Sequence, residues 1–212
     1  MEPDPRSKRP EFLIEVYKQM MNDIDRHIII VWQSIGVVVG SFAILGLVEK
    51  KVLSLDIAAS LFVTICSWSL ALLIDSSYWY NRNLCIIANI ERLFLSQEDL
   101  RNVHYYFGAH RPRNGMITTL KAQVGLALVI GSLVLIYHFI TRVIPGFNLS
   151  ICDFSPSRAL PYSITIVAAA LLMGLSKKRN ADYAEFLKNS PGISVSTKGI
   201  EYGGGHGFSG GG

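Results

Sequence analysis

Four stretches, Ile28–Val48, Ile57–Ile74, Val124–Ile140 and Leu160–Leu175, run without a single Asp, Glu, Lys or Arg, and His138 is the only imidazole within them. They hold 21, 18, 17 and 16 residues. A helix rising 1.5 Å per residue needs roughly 20 residues to cross about 30 Å of hydrocarbon. The first stretch is long enough as it stands. The second can extend back through Val52, Leu53 and Leu55 if Asp56 sits at headgroup level, Leu120 and Ala122 lengthen the third, and Pro161 suits the first turn of the fourth. Strands are the disfavoured alternative, because an open sheet in lipid leaves backbone groups unpaired and these runs lack the alternation of a barrel. Half the residues are apolar and 17% are charged. The expected fold is therefore all-α, an integral membrane protein with four transmembrane helices.

The N-terminus does not read as a cleavable signal peptide. Met1–Pro10 is polar, and a further 17 charge-rich residues precede Ile28, so the first stretch is expected to be a retained signal anchor. Lys and Arg outside the spans divide unevenly. Five lie in the N-terminal segment (Arg6, Lys8, Arg9, Lys18, Arg26), six between the second and third spans (Arg82, Arg92, Arg101, Arg111, Arg113, Lys121) and five after the fourth (Lys177, Lys178, Arg179, Lys188, Lys198). The other two connections hold two each, Lys50 with Lys51 and Arg142 with Arg158. By the positive-inside rule both termini and the middle segment are cytoplasmic. The net charge of +4 makes no case for nucleic acid, since the basic residues sit beside the bilayer, where they suit lipid contact. Cys66, Cys85 and Cys152 fall in a span, on the cytoplasmic side and on the outside, so no disulfide within the chain is expected, although a bridge between chains through Cys152 stays open.

Periodicity continues beyond the apolar stretches. Leu13, Val16, Met20 and Ile24 recur every three or four residues beside Glu15, Lys18, Asp23 and Asp25, predicting an amphipathic helix that runs into the first span. No Gly or Pro interrupts Val52–Phe107, and Leu84, Ile87, Ile90 and Phe94 form a stripe opposite Arg82, Asn83 and Arg92, so the second span should project to about Leu95. Ser96 with Asp99 then offers a cap for a short helix through Leu100, Val103 and Phe107, ended by Gly108. His110–Gly115 reads as the turn toward the third span, and Ser176–Asn189 continues the fourth as helix through Tyr183, Phe186 and Leu187 until Pro191. Burial of Leu84, Ile87, Ile90 and Phe94 would contribute about 1.5–3 kcal/mol each, so the extensions should gather into a small cytoplasmic bundle. The expected organisation is thus a cytoplasmic amphipathic helix over 1–27, a first transmembrane hairpin over 28–74, a cytoplasmic helical segment over 75–123, a second hairpin over 124–175, a cytoplasmic helix over 176–202 and a disordered Gly-rich tail over 203–212.

Two groups of residues suggest function. Gly36 and Gly40 have the spacing that lets helix backbones approach closely, and Ala127/Gly131, Ala170/Gly174 and Ser67/Ala71 repeat it on the other spans. Packing within the chain and packing between subunits both stay open. Gln33, Ser34, Ser41, Thr64, Ser67 and Ser69 could line a polar path in an oligomer or bond between helices. The second group is Asp75, Trp79, Asn81, Arg82 and Asn83, where the second span leaves the apolar stretch, with Glu91 and Arg92 further on. Tyr78, Trp79 and Tyr80 suit an interfacial aromatic belt, with Arg82 reaching lipid phosphate or Asp75. The rival reading is a sensing surface in which Asn81, Arg82, Asn83, Glu91 and Arg92 form a polar network, Glu91 meeting Arg111 or Arg113. His138 and Asp56 read as interfacial residues.

Enzymatic readings find no support. His104 and His110 lack further ligands at metal-binding spacing, no Gly-rich phosphate loop follows a strand, and no Ser has a matching His and acid, so no catalytic, metal or cofactor site is expected. An ion-coupled transporter would place charged residues inside the bilayer, and none lies in the four stretches. The layout Trp79-Tyr80-Asn81-Arg82-Asn83, Ile90-Glu91-Arg92-Leu93-Phe94, His104-Tyr105-Tyr106-Phe107, His110-Arg111 and Met116-Ile117 resembles a family of largely uncharacterised bacterial four-span proteins. It is also similar to the small helical membrane effectors of bacterial anti-phage systems. The resemblance covers roughly Arg26–Gln123, and the second hairpin departs from those effectors, which often have two spans. It implies a homo-oligomer in the inner membrane that disturbs the bilayer when a cytoplasmic partner signals infection. A scaffold recruiting a cytoplasmic protein and a small channel or transporter for a neutral or hydrophobic solute are the alternatives.

Overall fold

The computed structural model describes residues 8–96, 99, 113–148 and 155–190. Among them the chain is helical throughout its regular parts, with no strand. Helix α1 (Arg9–Gly40) begins with Pro10 in its first turn and is followed at once by α2 (Ala43–Glu49). The break between them falls inside the first apolar stretch, where a single helix was expected. Ser41 Oγ donates to the Val38 carbonyl at 2.5 Å, and Phe42, Ile44 and Leu45 bond to carbonyls three residues back, so the backbone tightens for half a turn. A hydroxyl returning to its own helix next to a glycine gives such a distortion.

Helix α3 (Leu55–Phe94) starts at a true cap, with the Ile57 amide donating to Ser54 Oγ. Val52 and Leu53 therefore stay outside it. Without Gly or Pro it continues for 40 residues, roughly 60 Å and about twice the hydrocarbon thickness. Helix α4 spans Thr118–His138, followed by a π-helical turn over Phe139–Val143 and a 3-10 turn over Ile144–Asn148. A second 3-10 turn, Pro156–Ala159, leads into α5 (Leu160–Asn189) with Pro161 in its first turn. Four helices, α1 joined with α2, α3, α4 and α5, are long and apolar enough to cross a membrane, which is compatible with an integral membrane protein.

Helix α3 is the hub, with α1, α4 and α5 each packing on it. Val38, Phe62 and Cys66 form one buried cluster with Ile130 and Val134, and Val31, Leu73 and Leu120 form another. Beyond the apolar stretches, Ile24 meets Leu84 and Ile87, while Tyr78, Cys85 and Tyr183 join α3 to α5. Phe94, counted in the α3 stripe, is exposed, and Asn83, expected on the polar side, is buried. Near this level α1 packs on α3 at Leu84 and Ile87 and α5 packs on it at Cys85, and Asn83 lies among these buried positions. Ser96 and Asp99 make the anticipated reciprocal cap, Asp99 Oδ2 accepting from the Ser96 amide at 2.8 Å and Ser96 Oγ from the Asp99 amide at 3.3 Å. Those bonds to Ser96 hold the exposed Asp99 carboxyl below its usual range. The short helix to Phe107, with His104, His110, Arg111 and Cys152 and the tail 203–212, lies outside the described residues.

Candidate functional site

The most concentrated chemistry lies at the end carrying the two short connections, here the loop end. Asp56, in the first turn of α3, is 1% exposed, and His138, the last residue of α4, is fully buried. His138 Nε2 lies 3.1 Å from Asp56 Oδ1. Arg142, swung inward by the π-helical turn, donates from Nε to Oδ1 at 2.9 Å and from its terminal nitrogen to Oδ2 at 3.2 Å. Ser157, from the 3-10 turn before α5, donates to Oδ2 at 2.6 Å. One carboxylate thus fastens α3, α4, the π-helical turn and the approach to α5. This fork of two parallel bonds is the strong geometry for an arginine and a carboxylate.

Ionised Asp56 only accepts, so His138 Nε2 donates to it; Nδ1 faces Tyr162 Oη at 3.0 Å, a hydroxyl that also lies 3.4 Å from the Leu135 carbonyl. Both ring nitrogens are engaged, and the Ser157 hydroxyl is bonded to the acid instead of to the imidazole. A Ser-His-acid relay requires the histidine between the other two. The arrangement instead neutralises a buried charge, and Arg142, 39% exposed along its side chain, connects it to the outside.

A second set of polar contacts joins α3 to α5 and to the segment before α4 at the opposite, basic end. Arg179 Nε donates to Asp75 Oδ1 at 2.7 Å and another of its nitrogens to Asp182 at 3.2 Å, with the guanidinium 4.8 Å from the Tyr78 ring centre. Asp75 is thus met by Arg179, whereas Arg82, expected to reach either lipid phosphate or Asp75, lies over the rings of Trp79 and Phe186 at 5.1 and 5.6 Å. Asn81, fully buried, donates to the Ser77 and Gly115 carbonyls and to Asn114 Oδ1. Asn114 in turn donates to Asn180. Cys85 Sγ and Tyr183 Oη are 3.2 Å apart in the buried cluster.

The expected polar network is therefore dispersed over several partners. Glu91 accepts from Tyr17 Oη at 3.5 Å, and Arg92 edges an exposed groove. Glu91 lies 17 residues past Ile74, about 25 Å along the helix, outside the apolar stretch. Burial pushes its carboxyl above the usual range, more than the Tyr17 bond pulls it down. Tyr17 is raised likewise, by burial first and then by the charge of Glu91.

The small residues divide by location. Ala127 is buried, and a Cβ on Gly131 would stand 3.8 Å from Cys66, so that pair packs within the chain. Beside Gly36, Gly40 and Gly174, no other part of the described residues comes within 4 Å of where a Cβ would stand, their own helix backbone apart, and Ala170 is exposed. Ser67 and Ala71 line an apolar crevice of about 600 Å³ between α3 and α5, with Trp68, Ala168, Leu171 and Leu172. The span hydroxyls mostly bond to their own helices: Ser34 to Val31, Thr64 to Ser60 and Ser67 to Val63. Ser69 crosses to Ser34 at 3.5 Å.

The Asp56 cluster escaped the sequence reading because its members are 82, 86 and 101 residues apart and each alone resembles an interfacial residue. The available signal is shared depth: Asp56, His138, Arg142 and Ser157 all border the same side of the apolar stretches. No family model, no curated protein and no solved structure matches the chain, so the geometry described here stands alone.

Proposed function

We propose that this chain is a non-enzymatic, oligomeric membrane effector, inserted in the bacterial inner membrane with both termini in the cytoplasm, that disturbs the bilayer when its cytoplasmic helices receive a signal. The observation that carries this reading is the vacant face at Gly36 and Gly40. Their spacing suits close approach of two helices, yet among the described residues none fills the space beside them. A second copy of α1 fits that face. The Asp56 clamp supports the same reading, since it holds the loop end closed and leaves rearrangement to the long extensions at the other end. Phage infection as the signal is the part of the proposal taken from the sequence resemblance over roughly Arg26–Gln123.

The test is induced expression in a bacterial host with membrane potential and growth recorded, alongside crosslinking in membranes. Wild type should crosslink as an oligomer and depolarise cells on phage challenge, and Gly36→Leu/Gly40→Leu, at matched levels, should do neither. A monomer, or an oligomer indifferent to the substitution, would refute the assembly. A second reading, a scaffold that recruits a protein, is favoured by one feature. An exposed groove of about 530 Å³ at the basic end is lined by Phe12, Leu13, Val16, Ile86, Ile90 and Leu93, apolar side chains that lie beyond the apolar stretches. Stable co-purification of one cytoplasmic protein without depolarisation would favour it.

A further inference from the structure

Gln123 is 6% exposed, and neither its Nε2 nor its Oε1 has a hydrogen-bond partner. An amide buried with both ends unpaired is costly, because each group has given up its water without gaining a partner. The side chain lines a cavity of about 210 Å³ between α1, α3 and α4, whose other polar walls are His27, Ser76, Tyr80 and Thr119. Ile28, Val31, Trp32, Ile117 and Leu120 complete it, and no Asp, Glu, Lys or Arg takes part.

These walls specify a ligand. The unpaired amide requires a group that both donates and accepts, and the lack of charged walls requires that group to be neutral. An alcohol meets both conditions. The depth is equally specific: His27 and Gln123 each immediately precede an apolar stretch, and Ser76 lies two residues after another, so the cavity sits at the membrane boundary. Ile28 and Trp32 on its wall are 40% and 57% exposed, which places its mouth on the outside of the bundle, where acyl chains would run.

The geometry points to a lipid site in which an uncharged headgroup alcohol, such as the glycerol of phosphatidylglycerol, occupies the cavity and bonds to Gln123, while the phosphate stays at the water boundary. The site requires membrane insertion but not assembly, so it stands apart from the oligomeric reading. Its occupation would tie α4 to α1 at the level where the helices leave the bilayer.

The full-length protein in phosphatidylcholine nanodiscs, titrated with either dioleoyl phosphatidylglycerol or dioleoyl phosphatidic acid, provides the test, with bound lipid counted by native mass spectrometry. The two lipids share acyl chains and an anionic phosphate and differ in the glycerol headgroup. Wild type should bind phosphatidylglycerol about tenfold more tightly, the equivalent of about 1.4 kcal/mol. Gln123→Leu should bring the two to parity. Equal binding in wild type would overturn the proposal, whether or not the variant folds, as would a preference that survives in Gln123→Leu. Free glycerol that alone stabilises the protein, with no lipid preference, would overturn the assignment to a lipid.

Discussion

Replacing Asp56 with Asn tests the loop-end clamp most directly, because it keeps the side chain's volume and removes its charge. The carboxylate accepts from His138, Ser157 and two nitrogens of Arg142, and it is 1% exposed. An amide can offer its oxygen to part of this set, but its NH2 then faces donors. Bonds to a charged group contribute about 1.5–3 kcal/mol each, and removing one partner from a buried pair costs roughly 3–5 kcal/mol in total. Arg142 lowers the figure, since its side chain is 39% exposed and water can take it up. Asp56→Asn should therefore cost about 3 kcal/mol, which for a chain of this size lowers the midpoint by roughly 6–12 °C. Arg142→Met should cost a similar amount by leaving the carboxylate buried without its fork. The double variant should cost about 1–3 kcal/mol less than the sum, the signature of groups that interact. The assay is thermal unfolding in detergent micelles, followed by tryptophan fluorescence and by monodispersity. A cost below about 0.5 kcal/mol for Asp56→Asn, or strict additivity in the double variant, would refute the clamp.

Further substitutions address other parts of the structure. Glu91 has a raised carboxyl pKa in the fold, so the folded state binds its proton more tightly, and stability falls as pH rises from about 4.5 through the raised value. Glu91→Gln should flatten that slope and raise the midpoint at neutral pH, as checked by melting between pH 4 and 8. Arg179→Met should cost about 1–3 kcal/mol by unpairing Asp75 and Asp182 and exposing the Tyr78 face, with loss of α5 protection in hydrogen exchange. Lys51 turns the α2–α3 connection at φ 59°, so Lys51→Gly should stabilise by up to about 1 kcal/mol in the same melts, and a loss would refute the strain. Gly36→Leu/Gly40→Leu should not lower the monomer's midpoint, because none of the described residues occupies that space and leucine is the better helix former.

Much of the fold is legible in the sequence because it depends on local properties. Runs without charge set the four long helices, the lack of Gly and Pro carries α3 to Phe94, and Pro161 marks the first turn of α5. The break at Ser41–Phe42 is less legible, since serine and glycine are tolerated in apolar helices and only the bond to Val38 reveals the distortion. Partner choice is harder still. Arg82 and Asp75 share a helix face, yet Asp75 pairs with Arg179, 104 residues away, because α5 packs against that side of α3. Asn81 and Asn83 read as polar surface, and only the packing of other helices around α3 makes them interior. Gln123 gives no signal at all until burial and pairing are considered together.

The clamp also has an order in time. Asp56 is synthesised 82 residues before His138, 86 before Arg142 and 101 before Ser157. A nascent chain that ends before α4 thus carries an acidic group at a helix start with none of these partners, stable only where water or a proton can reach it. The first hairpin has reason to stay shallow until the second one arrives, and the contact of Ser157 with Asp56 can form only once the chain has passed α4 and reached the approach to α5.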